Sequence, residues 1–444
     1  MKRISLLSFF LAGLLSFNLI LSGHVPAAHA EDPGTVYYVS QSGGDDANDG
    51  LTEDTPWQTL AKVSGTTFEP GDRILLKAGE RWTNETLVLH GSGTATNPIT
   101  LSAYGIGSKP VISPQIVDSS AITLHNEAGW KVTGLELEKA MMGINLEYDN
   151  VYNMEFIWLE DLFIHDMDDT YNSNPNKYNH FSVGIAWMGN QAASTFHLKN
   201  ITMKSIVFDR INSPLWQGAI SRHTNSAGFG INARFGDITI QDLTSTNSKQ
   251  WGYNFNFMVN ATVTDISTSN VGIVSADSDG VNPYGIGGIV VAYSRDMVFD
   301  GVNIHNVSKG AQGYDGVGFD FEGGLEASNI MLRNAVIDGT DGAGLMIFNN
   351  GGVGGTAGAH ADTVTITNFG RSPGNSSGGI KFFPDSGTGT IKNATIDRGS
   401  SNSPFIEGPT TGFTLENMTY IPDVNRADFI RMEDVLAGNW RDRF

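Results

Sequence analysis

One short segment recurs along this chain and restricts its fold more than any other feature. A glycine is followed by a large apolar residue, a variable one, another apolar residue and a second variable one. Gly143, Gly184, Gly230, Gly252, Gly288, Gly318, Gly344 and Gly379 each open such a segment. Side chains alternate along a strand, so the two apolar positions share one face and the two variable positions the other. A second strand-like run precedes most of these segments, as in 130–137, 198–203, 237–243, 297–304, 329–337 and 362–367. The glycine-to-glycine interval runs from 22 residues (230 to 252) to 46 (184 to 230).

Two or three short strands per repeat, with Gly/Asn-rich corners in place of helices, stack as the coils of a parallel β-helix, each coil ~4.8 Å from the last. The expected class is all-β, a right-handed parallel β-helix forming a single domain over 31–444. Unequal repeats imply insertions at the corners, where they line a functional face. Residues 31–80 are expected to cap the N-terminal end. They hold a strand near Val36, a loop carrying Asp45, Asp46, Asn48 and Asp49, helical spacing from Trp57 to Val63, and a strand from Arg73 to Lys77. That loop lacks EF-hand spacing and reads as a solvated turn before a cation site. Residues 423–444, with helical spacing from Phe429 to Leu436, are expected to cap the far end.

The first thirty residues read as a secretory leader. Lys2 and Arg3 precede an apolar run, and Ala28-His29-Ala30 forms a cleavage signal. About 414 residues (444 minus 30) would remain as an exported chain with no membrane attachment after cleavage. The chain has no cysteine, so packing and backbone ladders must hold it. Its net charge of -20 argues against nucleic acid and anionic membranes as partners.

Within the Gly318 segment, Phe319 and Phe321 share the core face and Asp320 and Glu322 the outer face. Stacking the segments gives an outer column of Asn145, Ala186, Asn232, Asn254, Val290, Asp320, Met346 and Lys381. Its neighbour holds Glu147, Met188, Arg234, Asn256, Ala292, Glu322, Phe348 and Phe383. Apolar flanks desolvate a carboxyl and raise its pKa, as a general acid needs. Asp320 and Glu322 are therefore the candidate catalytic pair, with Asp315 a third carboxylate. A two-residue offset of ~6.5–7 Å fits an inverting glycosidase. A structural cation or a solvated face are the competing readings. Arg234, Asn232, Asn254, Asn256, Trp251, Tyr314 and Lys381 are candidate substrate contacts, through planar hydrogen bonding, amides and ring stacking. Trp216 offers another ring. Arg222-His223 reads as a surface loop pair and Asp277 with Asp279 as a turn.

Tyr37-Tyr38-Val39-Ser40, Asp49-Gly50, Pro56-Trp57-Gln58-Thr59-Leu60, Pro70-Gly71-Asp72, and Gly91-Ser92-Gly93-Thr94 before Asn97-Pro98-Ile99 together resemble the start of known secreted enzymes. These are the parallel β-helix lyases and glycoside hydrolases of the pectin-lyase-like superfamily. The resemblance implies a secreted enzyme acting on a polysaccharide or oligosaccharide. Polygalacturonase-type paired aspartates with a Gly-His-Gly turn are absent. The preferred expectation is a glycoside hydrolase with no required cofactor, calcium being an optional addition. A lyase acting on a uronic-acid polymer, using Arg234, Lys249 or His223 with calcium, is the first alternative. A non-catalytic carbohydrate-binding β-helix is the second.

Overall fold

The structure is a computed structural model. It describes residues 34–167, 169–171, 173, 182–189, 196–219, 235–272, 285–309, 314–324, 326–350, 354–372 and 377–422. The leader, the 423–444 cap, Arg222, His223, Asn232, Arg234, Asp277 and Asp279 lie outside the described residues. What is described is a parallel β-helix. Each full coil combines a long bent strand with a shorter one. The long strands include Met154–Met167, Leu198–Ile211, Phe235–Thr246, Met258–Val271, Arg295–Val307, Ser328–Thr340 and Thr356–Thr367, and all join one parallel sheet.

The long strands bend at regular corners. Residues 156, 161 and 166 have positive φ, as do 200, 205 and 210, then 237, 242 and 247, then 260, 265 and 270. The triplets 296, 301, 306 and 329, 334, 339 continue the series. Most of these positions are Asn, Asp or Gly, the residues that adopt left-handed backbone at least cost. Each corner also resets the alternation of side chains. In Leu198–Ile211 the inward residues are Ile201 and Met203, then Ile206 and Phe208, all fully buried. A straight strand would have turned residue 206 outward. Corner amides are tied coil to coil: Asn270 donates to Asn247, Asn306 to Asn270, and Arg371 to Asn306.

The shorter strands form two sheets. Leu87–Leu89, Ser120–His125, Met142–Tyr148, Val183–Gly189 and Ser213–Ala219 make one. Trp251–Asn256, Gly285–Ala292, Tyr314–Gly323, Leu345–Ile347, Ile380–Phe382 and Ile406–Glu407 make the other. The recurring glycines open these strands because the next coil passes too close for a side chain. A Cβ on Gly252 would lie 2.3 Å from the Gly288 carbonyl oxygen, one on Gly288 2.6 Å from that of Gly318, and one on Gly318 2.5 Å from that of Gly344.

One expected rung is corrected. After the Gly184 coil the described stack continues with Ser213–Ala219, and the Gly230 segment lies outside the described residues. Gly184 faces Pro214, whose carbonyl oxygen occupies the close-approach position. Trp216, rather than Asn232, therefore follows Ala186 in the outer column. The ladder breaks at the same place, where the five-stranded sheet ends. Across the break, the Asn256 N–H donates to the side-chain oxygen of Gln217, at 3.0 Å.

At the N-terminal end, Val36–Val39 and Arg73–Lys77 pair as parallel strands. Thr59 caps the helix Leu60–Ser64, accepting from the Lys62 N–H. The Asp46 carboxylate accepts from the N–H groups of Gln58 and Thr59 and from the Thr59 hydroxyl. Asp49 accepts from Leu51 and Thr55. The acidic loop is a hydrogen-bonded turn that starts the helix.

Candidate active site

The Asp320 strand, Tyr314–Gly323, is anchored from its core side. Phe319 and Phe321 are fully buried in a run of rings: Tyr253, Phe255, Phe299, Phe319 and Phe321. Successive centroids lie 6.0, 5.2, 5.3 and 4.9 Å apart. Burying each ring stabilises the rung by about 1.5–3 kcal/mol. Alternation then sends Asp320 outward.

The strand's register breaks twice against the preceding coil. Ile286 pairs with Asp315 but Gly287 with Val317; Val291 pairs with Phe321 but Ala292 with Gly323. Gly316 and Glu322 are therefore the extra residues of two bulges. Asp315 and Gly316 both take positive φ, 71° and 64°. A bulge bends its strand and re-aims the side chains beside it. Asp320 sits between Val290 and Met346, as the column places it. Glu322 does not sit opposite Ala292, which faces Gly323 instead. The cause is the bulge, closed by Gly323 and Gly324 with φ of 78° and 105°.

The bulge brings the two acids together. A hydrogen bond between the Asp320 and Glu322 carboxyls contributes to the shift of each. Burial pushes Asp320 well above the usual carboxylate range, and the Glu322 and Asp315 charges push it further. It is 4% exposed, and its Oδ1 has no partner. Burial pushes Glu322 up to about 7; the bond from Asp320 pulls against this rise and the Asp315 charge adds to it. The Glu322 side chain is partly solvent-exposed, although protein surrounds its carboxyl closely. Both shifts favour the protonated forms towards neutral pH, while the partly exposed Glu322 can still reach an incoming group.

Apolar clusters lie on both sides. Towards the N-terminus, Trp216 packs with Met141, Met142, Val183, Ala186 and Met188, and Trp251 rests on this group. Towards the C-terminus, Val317, Ala343 and Met346 cluster with Phe348 and Phe383. The Trp251 indole N–H donates to the Gly285 carbonyl, 3.0 Å away. The Asp315 carboxylate lies against the same Gly285, where a Cβ would stand 2.6 Å from Oδ2. Trp251 and Asp315 therefore meet at one glycine.

Asn254 pairs with Val290 and Asn256 with Ala292, one coil before the acids' neighbours. Asn254 is 5% exposed and its Oδ1 is unpartnered, two coils or ~10 Å from Asp320. Lys381 lies two coils beyond Asp320 on the other side. Its ammonium is bound to Glu407 at 2.5 Å and sits over the Phe383 ring, 5.1 Å from the centroid. Tyr314 opens the strand, and its side chain lies outside the described residues. Two neighbours carry no sequence signal. Tyr293 takes φ of 50° at the corner after Ala292, and its hydroxyl donates to Asn350 at 3.2 Å.

Away from this site, Glu136, Glu138 and His165 have metal-ligand spacing on the long-strand sheet. Glu138 is already engaged by Arg81, Lys139 and the Ser113 hydroxyl, and His165 by Asp166 at 2.6 Å. This cluster is part of a salt-bridge network.

No protein-family model matches the chain. It is similar to the lacto-N-biosidase of Bifidobacterium longum subsp. longum, at 27% identity over 263 residues, 49% of this chain and 16% of that protein. The chain therefore spans well under two thirds of that relative's length. Among solved structures, an alginate lyase from Paenibacillus sp. str. FPU-7 aligns with a TM-score of 0.49 and 13% identity, over 82% of this chain and 97% of that one. The GH136 lacto-N-biosidase from Eubacterium ramulus aligns with a TM-score of 0.66 and 18% identity, over 87% of this chain and 68% of that one. The parallel β-helix described above is a fold that this chain has in common with a carbohydrate-active enzyme.

Proposed function

We propose that this chain is a secreted glycoside hydrolase acting on an oligosaccharide or polysaccharide. The observation that carries the reading is a carboxyl pair, Asp320 and Glu322, whose burial favours the protonated form, set on a doubly bulged strand beside a third carboxylate, Asp315. Glu322, raised to about 7 and partly exposed, protonates the leaving glycosidic oxygen and later takes a proton from water. Asp320, buried behind it, hydrogen-bonds to Glu322 and holds the second proton of the pair. A pair that keeps protons near neutral pH cannot also supply the ionised partner. Asp315, re-aimed by the first bulge, takes that role as the nucleophile, bonding to the anomeric carbon as the leaving oxygen departs and being released when Glu322 activates water. Asn254 and Asn256 accept and donate to sugar hydroxyls, and Trp251 walls the site. Tyr314 and Lys381 remain candidates at its margins, and Arg234 and Asn232, outside the described residues, remain candidate substrate contacts. Similarity to lacto-N-biosidases supports hydrolysis over the lyase alternative, as does the lack of any described lysine or arginine beside Asp320 in the ladder.

The test is a panel of oligosaccharides and polysaccharides read for new reducing ends and for near-ultraviolet absorbance. Reducing ends without absorbance are expected. Glu322→Gln and Asp315→Asn should each lose most turnover on the responding substrate. Unsaturated products, or full activity in both variants, would sink the proposal.

A further inference from the structure

We infer that Tyr293 is a positioning residue for Glu322, a ring held in a strained corner so that it closes the water-facing side of the Glu322 bulge. The inference rests on the catalytic reading of Glu322. It stands on five geometric observations.

Phe257 and Tyr293 occupy the corners that follow Asn256 and Ala292, with φ of 58° and 50°. Left-handed backbone is strained for a bulky side chain, and such strain persists only where the surroundings enforce it. The two rings stack, with centroids 5.3 Å apart and planes 18° apart. In the next coil the equivalent corner is Gly324, where a Cβ would lie 2.6 Å from the Tyr293 ring. The ring thus fills the place above Gly324 that a side chain would otherwise take. The Tyr293 N–H donates to the Gly323 carbonyl at 2.9 Å, which fixes the residue after Glu322. The hydroxyl reaches past Gly324 to Asn350. Phe257, Tyr293, Gly324 and Asn350 therefore brace four successive coils around the bulge.

The brace also acts on charge. Burial and then the Glu322 charge push the Tyr293 hydroxyl up, which places the phenol within the field of that carboxylate. The titratable groups facing Glu322, among the described residues, are Asp320 and Asp315 of its own strand and Tyr293 of the preceding coil. The following coil brings Met346 and Phe348 alongside, neither of them charged. A ring that excludes water keeps the Glu322 proton bound; opening that side to solvent releases it.

The experiment follows the Glu322 carboxyl directly, by carbon-13 NMR of glutamate-labelled protein, with the resonance assigned by its loss in Glu322→Gln. Tyr293→Asn is the principal variant, since asparagine accepts the corner backbone without strain and keeps the fold. Its Glu322 midpoint should fall by about one pH unit towards the ordinary value. The alkaline limb of its kcat profile, where Glu322 loses its proton, should move down by the same amount, with KM little changed. Tyr293→Phe, which keeps the ring, should restore the midpoint. An unmoved midpoint in Tyr293→Asn overturns the inference, even where turnover falls, because a purely structural role leaves it in place. If the midpoint moves as described while Glu322→Gln keeps full turnover, the positioning role stands and the catalytic reading fails.

Discussion

Replacing Glu322 by glutamine should make this protein inactive and, at alkaline pH, more stable. In the unfolded chain the Glu322 carboxyl loses its proton near 4.5; in the folded chain it keeps that proton to about 7. Over that interval the folded state binds a proton that the unfolded state has released, so stability falls as pH rises. The contribution is fully present below about pH 4.5 and gone above about pH 7. A difference of ~2.5 pH units corresponds to about 3 kcal/mol. Glutamine has no such proton, and its side-chain oxygen can still accept from Asp320. Removing the Glu322 charge also relieves Asp320, so both effects act in the same direction. Urea unfolding followed by tryptophan fluorescence, from pH 5 to 8, measures this. The two proteins should agree within about 1 kcal/mol at pH 5 and diverge to about 3 kcal/mol by pH 8, the variant being the more stable. Parallel curves, or a variant that is less stable at pH 8, would refute the assignment of a proton-retaining Glu322.

Gly318→Ala should destabilise the coil by about 1–3 kcal/mol, because its Cβ would stand 2.3 Å from Ile337 Cγ2 and 2.5 Å from the Gly344 carbonyl oxygen. The denaturation midpoint reads this. Phe321→Ala should cost about 3–5 kcal/mol, since its ring is fully buried against Phe319. Unfolding curves of the single variant check it. Dialysis against a chelator should leave hydrolysis unchanged, because a carboxyl pair that shares protons in apolar surroundings is a poor set of cation ligands. A loss of rate that calcium restores would count against the proton-sharing pair.

Much of the scaffold was legible in the sequence. The glycine that opens each short strand marks a rung, and the apolar spacing marks its core face. The physical cause, a neighbouring carbonyl less than 3 Å from any Cβ, is visible only when the coils are stacked. Pro214 concealed one rung because it fills the same place with a different residue. The five-residue corner spacing was present too, as Ile201-Thr-Met203-Lys-Ser-Ile206-Val-Phe208 and its equivalents. It interrupts strict alternation and so escapes a search for period two. Asp320 was placed correctly between Val290 and Met346 because it precedes the bulge. Glu322 was placed in line because a bulge depends on how the following Gly323 and Gly324 meet another coil. Tyr293 could not have been found, since an aromatic residue at a left-handed corner contradicts local preference.

The corners also bear on how such a chain finds its register. If the 198–211 strand slipped by one residue, its three left-handed positions would pass from Asn200, Ser205 and Arg210 to Ile201, Ile206 and Ile211. Left-handed backbone costs a non-glycine residue about 1–2 kcal/mol, least for asparagine and most for branched side chains, so the exchange is unfavourable at all three corners. The misplaced isoleucines would also leave the core. Each coil therefore carries its own check on threading, written in three residues that hardly touch the core. Such a code would let a long solenoid reject a neighbour docked one residue out of step before the next coil is laid down.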